Sequence, residues 1–343
     1  MTTMSPDALR TKLDALPRLS LAHLPTPLEF CPRLSEALGG PKIWLKRDDA
    51  TGLAFGGNKT RQLEYVLADM LKKGCDTIVA GAYTQSNWCR QMSAAAAKLG
   101  LDIHLVVLHG EKGPVLQGNF LLFQLLGAKV TVVDLPSVEL LQPYLDRKAE
   151  ELRAQGRKPY LVAPMDLENL ALGAVGYVDA GLEMHGQFER QGIDPAALFI
   201  AGANMTPAGI ALVFKTLGRG TRVVNIAPIK WEEDRATDIA RIANRSAAIV
   251  GMETRLSVGD FESHDEYIGE RYGVVSDACR EAVKLLARTE GVILDPVYSG
   301  KAFAGLVDHV RKGRFGKDQD IVFVHTGGTP ALFAYAQDLG LAA

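Results

Sequence analysis

Leu53-Ala54-Phe55-Gly56-Gly57-Asn58-Lys59-Thr60-Arg61 decides how this chain is read. It follows Lys42-Ile43-Trp44-Leu45-Lys46-Arg47-Asp48, a short apolar run of strand type, and precedes Arg61–Gly74, whose apolar residues recur at helical spacing. A strand, a glycine turn and a helix are predicted in that order, with one lysine at the helix entrance. Glycines let backbone approach a flat ring closely. The positive end of the helix dipole favours an amine over an ammonium at Lys59. A neutral, positioned lysine amine is what a Schiff base with an aldehyde cofactor requires.

Working outward, the same alternation runs through the chain. DTIVAGA, DIHLVVL, KVTVVD, YLVAP, LFIAGA, RVVNIAP and IVFVHTG read, with KIWLKRD, as buried parallel strands. Amphipathic stretches such as RQLEYVLADMLKKG and SDACREAVKLLARTEG separate them and end in glycine. The pattern predicts a doubly wound α/β protein whose ligand loops sit at the carboxyl ends of its strands. The unit from Asp76 to Asp134 is a compact βαβαβ run inside a larger sheet. We therefore expect a small lobe, residues 61–170, inserted into a large lobe, residues 1–60 plus 171–343.

Three further strand-to-helix junctions carry polar residues. Thr84-Gln85-Ser86-Asn87-Trp88-Cys89-Arg90-Gln91 follows DTIVAGA; its free helix-terminal amides suit a substrate carboxylate, and Ser and Asn also suit a plain helix cap. Ala203-Asn204-Met205-Thr206-Pro207 lies where a cofactor phosphate would dock on backbone amides. His325-Thr326-Gly327-Gly328-Thr329-Pro330 brings Thr326 or Thr329 towards a ring nitrogen. Tyr298 and Tyr272 are either core aromatics or acid-base groups near a leaving atom. Arg90, His264 and His325 are candidate cations for an anionic substrate group, with His264 read as a solvated loop residue.

The totals exclude several classes. The 343 residues are 47% hydrophobic and 23% charged, with a net charge of −2, which points away from nucleic acid. No apolar run reaches the length of a membrane span, and no secretory signal is visible, so a cytoplasmic location is expected. Cys31, Cys75, Cys89 and Cys279 are spaced for neither a zinc site nor a disulfide framework, and no metal is expected.

Taken together, IWLKRDDATGLAFGGNKTRQLEY, TQSN with RQ two residues on, LLARTEGVILDPVYSGKAFAGL and HTGGTPALF resemble the 1-aminocyclopropane-1-carboxylate deaminase / D-cysteine desulfhydrase family. The resemblance runs from about Leu24 to Leu332. It implies fold-type II (tryptophan synthase β-like), pyridoxal 5′-phosphate, a small amino-acid substrate and a homodimer. Lys59 matches the lysine that holds the cofactor and moves the Cα proton. Ser86, Gln85 and Asn87 match carboxylate contacts, and Asn87 also a cofactor contact. Tyr272 and Tyr298 match two active-site tyrosines, residues 203–206 the phosphate loop, and Thr326 the residue near the pyridine nitrogen.

Three departures from relatives matter. Ring-opening members carry Glu and Leu where Ser299 and Thr326 stand here, which places this chain nearer the D-cysteine desulfhydrase / L-cysteate sulfo-lyase branch. Trp88 replaces His or a small residue and is expected to reshape the substrate pocket. Asn204–Pro207 replaces a glycine-rich loop, leaving phosphate contacts to Ala203, Asn204 and Thr206. The expected reaction is β-elimination from a sulfur amino acid, giving sulfide or sulfite, a 2-oxo acid and ammonia. Cyclopropane-carboxylate deamination, serine dehydration and non-catalytic cofactor binding are the alternatives.

Overall fold

A computed structural model describes residues 3–341. In chain order the elements are α1 (Pro6–Asp14), β1 (Leu28–Phe30), α2 (Pro32–Leu38), β2 (Lys42–Lys46), α3 (Lys59–Lys72), β3 (Thr77–Tyr83), α4 (Asn87–Leu99), β4 (Asp102–Leu108), α5 (Gly118–Leu125), β5 (Lys129–Val133) and α6 (Gln142–Ala154). They continue with β6 (Pro159–Val162), α7 (Leu167–Gln191), β7 (Ala197–Ala201), α8 (Met205–Thr216), β8 (Arg222–Ile226), α9 (Arg235–Val250), β9 (Glu262–His264), α10 (Asp277–Glu290), α11 (Ser299–Arg311), β10 (Asp320–Val324) and α12 (Thr329–Ala334).

The strands form two sheets, ordered β1-β2-β10-β7-β8-β9 and β5-β4-β3-β6. Every pairing is parallel except β1 with β2. The β-branched and aromatic runs make this possible: β7 and β10 are covered on both faces, so nearly every residue in them is apolar and buried. On α3, Leu63, Val66, Leu67 and Met70 share one helix face and pack against Ile78, Leu105 and Val107 of the four-stranded sheet.

This topology positions the site. β2, β10 and β7 are parallel neighbours, so the lysine turn, the His325–Pro330 turn and the 203–206 loop leave the six-stranded sheet side by side. The Gln85–Asn87 turn leaves the carboxyl end of β3 in the other sheet.

All eight strands read from sequence are present, with three differences. β5 is an edge strand with no fully buried residue, because only β4 flanks it. β1 and β9 have three residues each and escape periodicity. His264 lies in β9, hydrogen-bonded to Glu262 and Glu266 and packed edge-on against His309, so it is not a solvated loop residue.

Candidate active site

Backbone contact joins the lysine turn to its neighbours. Gly57 has φ of 127°, and a Cβ there would meet Gln91 Nε2 at 2.3 Å. A Cβ on Gly327, at φ 87°, would lie 2.7 Å from Gly57 Cα. These two turns can touch only as glycines. Asn58 completes the junction: its backbone N–H donates to Thr326 O at 3.0 Å, and its side-chain Nδ2 donates to Thr206 Oγ1 at 2.9 Å. Arg90 donates to the carbonyls of Ala54 and, at 3.1 Å, Gly56. Its buried guanidinium thus pins the turn that presents Lys59.

Lys59 is the first residue of α3 and is half-buried in the cleft. Among the described residues, no carboxylate comes within ion-pair distance of it and no hydrogen bond engages its Nζ. Burial pushes its ammonium down to about 8; Asp295 opposes the shift and Arg90 adds to it. About a tenth of the amine is then neutral at pH 7, far more than for an ordinary lysine.

Next to the lysine, α3 is anchored by an ionic cluster that the sequence did not reveal. Arg61 donates to Asp48 at 2.9 and 3.0 Å and to Glu183 at 2.9 and 3.1 Å, while Lys46 also pairs with Glu183 and Tyr177 donates to Asp48 at 2.6 Å. Burial pushes Asp48 up, yet Arg61 and Lys46 outweigh it and hold the carboxyl below its usual value. Glu183 is held down in the same way.

The cavity beside Lys59 has a volume of about 850 Å³ including its mouth. Ser86, Trp88, Ala203, Asn204, Met205, Tyr272 and Tyr298 all line it with Lys59. Asn87, Asn58 and Thr326 line an adjoining hollow that shares Lys59, Ser86, Trp88, Ala203 and Tyr298. Gln85 and Thr206 line neither. Gln85 spends its amide on Asn119 N (2.9 Å) and Gln117 O (3.1 Å), fixing the start of α5. Thr206 accepts from Asn58 and from Gln62.

Ser86 serves as a helix cap and also faces the cavity. It caps α4, accepting from Cys89 N at 3.2 Å, and its own hydroxyl proton stays available to the cavity. The N–H groups of Asn87 and Trp88 find no acceptor among the described residues, which leaves donors for a carboxylate. Tyr272 and Tyr298 share a hydrogen bond of 2.5 Å between their hydroxyls. Burial raises both above their ordinary value, so they remain proton donors.

Asp295 organises the tyrosine side. Its carboxylate accepts from the backbone of Val297, Tyr298 and Ser299, each at 2.9 Å, and from Ser299 Oγ at 2.6 Å. The DPVYS string carried this turn, but only the fold shows that Ser299 is consumed by Asp295. The three expected cations face elsewhere. Arg90 holds carbonyls, His325 is fully buried between Ile293 O and Gly327 N, and His264 is in β9. Cys89 is buried beneath Ser86, and burial raises its thiol to about 12.

These residues fit a phosphorylated pyridine aldehyde. At the start of α8, Asn204 Oδ1 accepts from Met205 N at 2.7 Å and Pro207 has no N–H. The N–H groups of Ala203, Asn204 and Thr206 are left without a protein acceptor among the described residues. Free donors at a helix N-terminus are suited to a phosphate group. Arg235, donating to Ala203 O at 3.1 Å, places a cation behind it. The Thr326 hydroxyl, open to the hollow, is a neutral partner for a ring nitrogen.

Comparison with known proteins agrees. Residues 19–327 match the family described as "Pyridoxal-phosphate dependent enzyme". A "D-cysteine desulfhydrase" of Salmonella newport (strain SL254) is 40% identical over 330 residues, covering 94% of this chain and 97% of its own length, and that of Salmonella typhi gives the same values. A crystal structure described as an "ACC deaminase homologue" superposes with a TM-score of 0.88 at 35% identity, over 98% of this chain and 99% of that one. Escherichia coli diaminopropionate ammonia lyase shares the fold alone, at TM-score 0.66 and 17% identity, over 98% of this chain and 91% of its own. By the length and level of these matches, the chain belongs to the pyridoxal-phosphate dependent enzymes, in the family of the D-cysteine desulfhydrases and 1-aminocyclopropane-1-carboxylate deaminase homologues.

Proposed function

We propose that this enzyme is a carbon–sulfur lyase that cleaves the Cβ–S bond of a cysteine-type amino acid, as the D-cysteine desulfhydrases it resembles do by name. The observation that carries the reading is one cavity lined by a lysine of lowered pKa, a serine at a helix N-terminus and a protonated tyrosine pair. Pyridoxal phosphate, when bound, supplies the sink for the electron pair left at the substrate Cα. The amides of Ala203, Asn204 and Thr206 would hold its phosphate, and Thr326 would supply a hydroxyl partner for its ring nitrogen. Ser86 and the N–H groups of Asn87 and Trp88 orient the substrate carboxylate.

The free-amine form of Lys59, which its lowered pKa makes accessible near neutral pH, takes the proton from Cα. Tyr298, supported by Tyr272, gives a proton to the departing sulfur. The remaining enamine takes up water, leaving a 2-oxo acid and ammonia. Among the cavity-lining residues no cation besides Lys59 is present to receive a sulfonate, which favours cysteine over cysteate. Ser299, bound to Asp295, offers no acid for opening a cyclopropane.

The test is 2-oxo acid and ammonia release from D- and L-cysteine, L-cysteate, D- and L-serine and aminocyclopropane carboxylate. Release from cysteine of one hand is expected. Lys59→Ala lowers that turnover by at least about 10³-fold; retained turnover in the variant removes the lysine from the chemistry.

Two further readings follow from the resemblance. The lobes divide at residues 61 and 170, supported by the separate sheet formed between residues 77 and 162. The enzyme is a homodimer, supported by exposed Leu121 and Leu125 on α5 beside exposed Phe333 on α12. Light scattering of Leu125→Glu checks the second. No helix of the described residues is long and apolar enough to cross a membrane.

A further inference from the structure

Besides the groups assigned to cofactor and carboxylate, the cavity is lined by the side chains of Trp88, Val138, Val162, Leu170, Ile229 and Trp231, with Asn169 the polar member among them. Val138, Val162 and Leu170 are 3–5% exposed, and each belongs to a different packed cluster. Three cores therefore converge on this wall and fix its shape. Lys59 is the one charged side chain among the residues that line the cavity. Outside it, beyond Tyr83, Ile229, Trp231 and Tyr272, the groove carries Glu111, Asp134, Glu139, Glu232, Asp265, Glu266 and Glu270 against Lys230 and Arg271. An anionic substituent would cross an acidic approach and lose its hydration without gaining a cation. A bare thiol would leave the apolar wall facing water.

Resting on the carbon–sulfur lyase reading above, we propose that the substrates this site favours are S-substituted cysteines, thioethers whose sulfur bears an apolar alkyl or benzyl group. The Cα–H bond breaks, its proton going to Lys59 and its electron pair into a Cα=Cβ bond. The Cβ–S bond breaks, its pair leaving on sulfur, which takes a proton from the tyrosine pair and departs as a free thiol. Water then replaces the nitrogen, giving pyruvate and ammonia with no oxidant or reductant. Each buried methylene in an apolar pocket is worth about tenfold in kcat/KM, so a benzyl group is a sensitive probe.

The experiment compares S-benzyl-D-cysteine and S-benzyl-L-cysteine with D- and L-cysteine on the holoenzyme, following pyruvate by lactate dehydrogenase. For the preferred hand, kcat/KM for the benzyl thioether is expected at least about tenfold above that for cysteine. Val162→Trp, or Ile229→Trp should the first fail to fold, fills the wall and brings that ratio to one or below with the cofactor absorbance retained. Cysteine turnover equal to or above that of the thioether overturns the inference and leaves the lyase reading standing. Silence on both substrates, with the cofactor absorbance intact, overturns the lyase reading and this inference with it.

Discussion

On one flank of Lys59 the walls are polar and tied down bond by bond. Asn58 links three turns, Arg90 holds two carbonyls, and Arg61 sits in a buried cluster with Asp48 and Glu183. On the other flank the side chains that shape the wall are mostly apolar and set by packing, through Val138, Val162 and Leu170. Hydrogen bonds fix direction to within tenths of an ångström, as a cofactor shared by every catalytic cycle requires. Packing fixes volume and tolerates exchange of similar shapes. The contrast teaches that the chemistry is set on the first flank and the choice of substrate on the second.

The contrast breaks most severely if Arg61 is dispensable. Arg61→Met leaves Asp48 without its ion-pair partner and Glu183 with Lys46 alone, and is expected to cost about 3–5 kcal/mol in denaturant unfolding. Asp48 and Glu183 have native pKa values below their unfolded ones, so their stabilisation is present above the ordinary carboxylate range and disappears as pH falls through the native values. The variant should therefore lose the steep acid limb of the stability profile.

Cofactor uptake by the apoenzyme sharpens the same side. Only a neutral amine adds to an aldehyde. With Lys59 near 8, stopped-flow uptake should fall about tenfold per pH unit below that value and level off above it. Uptake that keeps rising to pH 10 would mean an unperturbed lysine. Asn58→Ala, which frees Thr206 and loosens the turn, should weaken cofactor affinity about tenfold by fluorescence titration. The smallest effect belongs to the packed flank. Leu170→Ala should change kcat/KM by about fivefold, with cofactor affinity within twofold of the parent. An equal loss of both would erase the distinction between the flanks.

This division also explains what the sequence disclosed. Glycine turns, helix caps and β-branched runs are local, so the lysine turn, the eight longer strands and the cradle amides were legible before any fold. Cofactor identity came with the ordered strings around Lys59, Ser86, Tyr298 and Thr326. Contacts between distant segments were not legible. Arg61 meets Glu183 across 122 positions, and no spacing rule announces it. Gln85 and Arg90 stand within a recognisable string, yet their side chains turn to α5 and to the lysine turn because those neighbours are closer than the cavity. The apolar wall was signalled only by Trp88, since nothing local in the sequence sets Val138, Val162 and Leu170 apart.

The cysteines carry one more consequence. Cys31, Cys89 and Cys279 are buried, and burial raises each thiol to about 12. At neutral pH about one in 10⁵ of each is thiolate, the form that attacks disulfides and electrophiles. A catalyst that discharges thiols works among the mixed disulfides and persulfides those products form. With no ready nucleophile at these three positions, capping by its own products falls to the partly exposed Cys75.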